Sequence, residues 1–149
     1  MCDTKEKICC FYVSKEHLVT MLIPYICNCL NNGNNIETFF EENLVEIVDK
    51  INLNNLHKKK ILESVDWKKL NREELSKKFE SENNIIIVAG KNDFIERLNN
   101  IIINFHTNFT LVNCYELSEI EKMDVQKINK YDKILSTKGI ARVEEIFTI

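Results

Sequence analysis

The 149-residue chain predicts an α/β fold, a three-layer sandwich with a mostly parallel central sheet of about five strands and helices on both faces. Two observations lead there. Short, continuous apolar runs rich in β-formers alternate with longer segments whose apolar residues recur at helical spacing. The chain is also about the size of one domain, long enough to bury a substantial core without disulfide staples. A single domain spanning residues 1–149 is therefore expected, with a helical excursion at 52–84.

Ile8 to Val13 reads as a buried strand, and Ser14 as the N-cap of the helix that follows. In that helix Leu18, Met21, Leu22, Tyr25, Ile26, Cys29 and Leu30 share a stripe. Pro24 inside it predicts a kink or an earlier end, and Gly33 marks the C-terminal cap. Ile36 to Phe40 makes a second strand, and Glu42 to Ile51 an amphipathic helix. Two helices follow in the lysine-rich middle, around Leu56–Val65 and Leu70–Phe79, and Trp67 between them is expected to anchor the excursion to the core.

Ile85 to Ala89 is the clearest strand and ends at Gly90, after which Asn92 or Asp93 can cap a helix bearing Phe94, Ile95, Leu98, Ile101 and Ile102. Phe109 to Cys114 is strand again. A weaker helical pattern covers Glu116–Asn129, including Met123 and Val125, and a fifth strand at Lys133–Leu135 breaks at Ser136–Gly139. Val143 to Ile149 reads equally as strand or short helix. Strand–helix alternation implies right-handed crossovers, and in such sheets ligands bind at the carboxyl ends of the strands near a topological switch point.

Composition narrows the function. Acidic residues number 23 against 20 basic ones, spread along the chain, so no positive field favours nucleic acid. No apolar run approaches a membrane span; the longest, Leu18 to Leu30, is broken by Thr20, Pro24 and Asn28. The start lacks a signal-peptide core, so the six cysteines are expected to be reduced thiols in a cytoplasmic protein.

Two segments carry a resemblance. Phe11 to Ile51, with Pro24-Tyr25 and Gly33, is similar to the opening of MEDS sensory domains, and Leu111 to Gly139, with Cys114-Tyr115-Glu116, is similar to their close. That family is a relative of the RecA/KaiC-like ATPase fold without a working P-loop, found beside histidine kinases and other regulators. The resemblance implies a non-catalytic regulatory protein that senses a small molecule or binds a signalling partner such as a histidine kinase or transcription regulator. Here Lys130-Tyr131-Asp132 stands where the family has His-Pro, and the middle is shorter.

The candidate ligand-binding residues are those at the expected carboxyl edge: Ser14, His17, Glu41, Gly90, Lys91, Asn92, Cys114, Tyr115, Glu116, Ser136, Thr137 and Lys138. None of the three glycines lies in a phosphate-cradling motif, so nucleotide hydrolysis is not expected. Gly90-Lys91 and Ser136–Gly139 could still form one anion pocket if their loops are neighbours, which would suit an enzyme or binding protein for a phosphorylated or carboxylated metabolite; the alternative is a pair of ordinary turns.

Cys114 at a strand end could be a reactive thiol, or a small buried hydrophobe. Cys9-Cys10 and Cys27-x-Cys29 are badly spaced for chelation, and His17, His57 and His106 lie on separate elements, so neither a metal nor a cofactor is expected. His17 could contact a ligand or simply lie on the surface. Glu16, Glu41 and Glu42 could act as acid or base, or merely favour a helix dipole. A third reading is a pure protein-interaction module working through the 52–84 helices.

Overall fold

The computed structural model describes residues 4–51, 56–80, 84–105, 108–122 and 128–142. It is an α/β sandwich whose six-stranded sheet is parallel except at one edge. The elements are β1 (Thr4–Tyr12), α1 (Lys15–Asn31), β2 (Ile36–Phe40), α2 (Val45–Lys50), α3 (Leu56–Glu63), α4 (Arg72–Glu80), β3 (Ile85–Gly90), α5 (Asn92–Phe105), β4 (Phe109–Glu116), a 3₁₀ turn (Leu117–Lys122), β5 (Lys133–Ser136) and β6 (Gly139–Arg142). The spatial order is β2-β3-β4-β1-β5-β6.

Alternate residues of the central strands enter different cores, as the pleat demands. Ile8, Cys10, Ile85, Ile87, Val112 and Cys114 pack beneath α1 to α3, while Cys9, Ile86, Val88, Leu111 and Tyr115 pack beneath α5. All six residues of β3 are buried, which is why that run is uninterrupted in the sequence.

Helix α1 starts and stops where its sequence dictates. The Ser14 hydroxyl accepts from His17 N–H at 3.1 Å, and at the other end Gly33 takes φ +83° while Gly33 and Asn34 donate to Leu30 and Cys29, a Schellman ending. The helix does not end early at Pro24; it is continuous over Lys15–Asn31 with the proline inside it. Pro24 and Thr20 are exposed, so the carbonyl that the proline leaves unpaired is on the hydrated side.

The excursion wraps the β2 edge. Leu62, Val65 and Trp67 lie in the α1 core, whereas Leu70 and Leu75 pack on the α5 side. Trp67 performs the anchoring expected of it: its ring stacks on Phe40 at 5.8 Å, its Nε1 donates to Leu62 O at 3.0 Å, and its carbonyl accepts from Leu44 N–H at 2.9 Å. A bridge between Phe40 and Lys69 covers part of the edge strand.

The helical pattern after Glu116 opens as a 3₁₀ helix over Leu117–Lys122. One expectation is corrected near the C-terminal part of the sheet: Ser136–Gly139 is not a loop ending the sheet but the turn of a β5–β6 hairpin, in which Gly139 takes φ +104°. Met123, Val125 and the Val143–Ile149 segment lie outside the described residues. No helix among the described residues is long and apolar enough to cross a membrane.

Candidate functional site

From β1 the chain crosses by α1 on one face to the far edge strand β2, whereas from β4 it passes over β1 in the opposite direction to β5. The carboxyl ends of β1 and β4, paired to Tyr12 and Glu116, therefore lead away from each other and leave a crevice at the switch point. It has a volume of about 530 Å³ and is lined by Tyr12, Val13, Ser14, Lys15, Glu42, Glu116, Leu117 and Ser118.

Its walls combine Tyr12, Val13 and Leu117 with two serines and three charged side chains. Val13 and Leu117 are 68% and 42% exposed, large apolar side chains facing solvent. Lys15 Nζ lies 3.7 Å from Glu42 Oε2, an exposed pair, and Glu116 lines the same crevice. The Tyr12 hydroxyl is held protonated well above its ordinary range, by burial foremost, then by the Glu116 carboxylate and more weakly by those of Glu42 and Glu41. It stays a neutral donor and acceptor.

Of the expected site residues, Ser14 and Glu116 line this crevice. His17 is turned into the helix start, where its Nδ1 accepts from Val13 N–H at 3.1 Å and closes a reciprocal cap with Ser14.

The Gly90–Asn92 turn is already occupied from within. Glu41 Oε1 accepts from Lys91 N–H at 2.7 Å, and Glu119 Oε1 accepts from Asn92 N–H at 3.3 Å. A Cβ at Gly90 would lie 2.7 Å from Glu41, so the glycine admits that carboxylate rather than a phosphate. Helix α5 begins at Asn92, with the Lys91 carbonyl accepting from Ile95 N–H, so neither the Asn92 nor the Asp93 side chain is the cap.

Three further expectations are corrected. Ser136, Thr137 and Lys138 belong to the hairpin turn beyond β5, and β4 and β1 separate it from Gly90-Lys91 by three strand spacings, about 14 Å. The two loops do not share an anion pocket. Cys114 is fully buried beneath α1 beside Cys10, and burial pushes its thiol well above the usual range, the opposite of an activated thiolate. Tyr115 faces the other core and hydrogen-bonds Tyr131 at 2.6 Å.

No protein-family model matches the chain, and no curated protein is significantly similar to it. The site must be read from its own geometry. Sequence reasoning missed Tyr12, Val13, Leu117 and Ser118, because what joins them is the pairing of the first strand with the fourth, and no local pattern encodes that.

Proposed function

We propose that the protein is a small non-catalytic regulatory or sensory module that holds a small molecule in the crevice between β1 and β4. The observation that carries this reading is a 530 Å³ opening at the topological switch point, walled by apolar surface and a few convergent polar groups. The resemblance of the β1–α1 and β4–β5 regions to MEDS domains favours the same reading, with a signalling protein as the partner that senses occupancy.

Glu42 and Glu116 with one paired lysine favour a ligand bearing an ammonium or several N–H donors. The alternative, an anionic metabolite held by Lys91 and Lys138, is disfavoured because Glu41 and Glu119 already accept from the Lys91 and Asn92 amides. A pure interaction module draws support from a different observation, the groove of about 660 Å³ between α2 and α3 lined by Val45, Val48, Leu62 and Trp67.

Thermal unfolding with two compound sets separates these readings. Polyamines and amino-acid amides are expected to raise the melting temperature by about 5–10 °C at a hundredfold excess over the dissociation constant. Glu116→Gln should remove that rise. Stabilisation by inorganic phosphate or ATP that Lys91→Ala abolishes would establish the anionic alternative instead, and no shift with either set would turn attention to the α2–α3 groove.

A further inference from the structure

On the opposite face of the sheet, between α5, β4 and the approach to β5, lies a second cleft of about 250 Å³, and it is polar where a core is expected to be apolar. Its floor is Asn113, only 1% exposed, in the middle of β4. Asn113 Nδ2 donates to Tyr131 Oη at 2.8 Å, and the Tyr131 and Tyr115 hydroxyls lie 2.6 Å apart. Both rings are buried, and burial is the main cause holding both phenols protonated.

The polar groups of this network do not all find partners. Asn113 Oδ1 is buried with no hydrogen bond, and so is Asn99 Oδ1 across the cleft on α5. The two phenols hold two protons and use one between them, which leaves one O–H to donate. Turned the other way, the Asn113 oxygen would accept from Tyr131, both phenol protons would be used, and the open NH₂ would take the ligand's acceptor in place of the phenol, so an unpaired polar group faces the cleft in either orientation. Buried amide groups are ordinarily satisfied, and one left open in the wall of a cavity marks a position where a partner belongs.

We propose that this cleft binds a small, neutral, planar molecule with an amide-type edge, an N–H beside a carbonyl or ring nitrogen, as in a nucleobase or a heteroaromatic carboxamide. The N–H groups meet the Asn99 and Asn113 carbonyls, and the acceptor meets the spare phenol proton. Lys7, Lys130 and Glu96 also line the cleft, so its charged groups are of both signs and the neutral edge of the ligand carries the recognition. The site is independent of the β1–β4 crevice, since it lies over the α5 core.

The probes are uracil, adenine and nicotinamide, with benzene and toluene as apolar controls, titrated into the full chain and followed by amide NMR shifts. At least one of the three amide-edged probes should bind saturably, shifting resonances around Asn99, Asn113 and Tyr131. Affinity should fall at least tenfold in Asn113→Leu and in Tyr131→Phe, which keeps the ring, and should be unchanged in Leu117→Trp, which plugs the other crevice. Should Asn113→Leu fail to fold, Asn99→Leu on the exposed side of the cleft serves in its place. Binding of no probe, equal binding of toluene, or loss of binding in Leu117→Trp with retention in Asn113→Leu would each overturn the proposal.

Discussion

At residue 90 a hydrogen in place of a methyl group decides how two elements meet. A Cβ there would stand 2.7 Å from Glu41 Cβ and Oε1 and 2.9 Å from the Phe94 ring, so Gly90→Ala must displace the carboxylate that accepts from Lys91 N–H. Overpacking of this kind costs about 1–3 kcal/mol. Urea unfolding should show that loss, and a wild-type midpoint would mean that Glu41 is not seated against the glycine. Gly90-Lys91 was legible in the sequence as a turn with a special backbone. Its purpose was not, because the carboxylate that fills it comes from another strand end, 50 residues away. The cap that takes up His17 Nδ1 and the depth of Cys114 were not legible for the same reason: how a side chain is used, or how deep a strand end lies, depends on neighbours that only the fold supplies.

Among the elements, α4 packs Leu75 on the α5-side core and sends a buried cation to the sheet. Lys78 Nζ lies 3.5 Å from Glu37 Oε1 and 3.2 Å from Asp66 Oδ2, donates to Thr38 O, and sits over the Phe39 ring. Burial raises the Glu37 carboxyl's pKa, and Lys78 opposes that rise. Lys78→Met should therefore lose about 3 kcal/mol at neutral pH, because it removes the buried cation that faces Glu37 and Asp66. In that variant the Glu37 pKa rises further above its unfolded value. A group raised in this way supports the fold when protonated and ceases to as pH climbs through the folded pKa. The deficit should thus shrink as pH falls into the ordinary carboxylate range, as chemical denaturation at several pH values would show; a deficit that is absent or independent of pH would contradict it. Elements with strong periodicity, β3 and α5 above all, were readable from the chain. β6 was not: its four residues, Gly139–Arg142, are mostly exposed and exist as a strand only because the hairpin turn returns them to β5.

For the whole molecule, alternation of strands and helices predicted a parallel sheet but not the order of its strands. The order β2-β3-β4-β1-β5-β6 places the crevice between the first and fourth strands and keeps the two lysine-bearing loops apart. The central claim, that this crevice holds a small molecule, is tested most directly by native mass spectrometry of the full chain after passage through a cell extract. Wild-type protein should carry an added mass that disappears on denaturation, and Leu117→Trp, which fills the crevice from a 42% exposed position, should emerge bare. Bare wild-type protein, or the same added mass on both, would contradict the assignment.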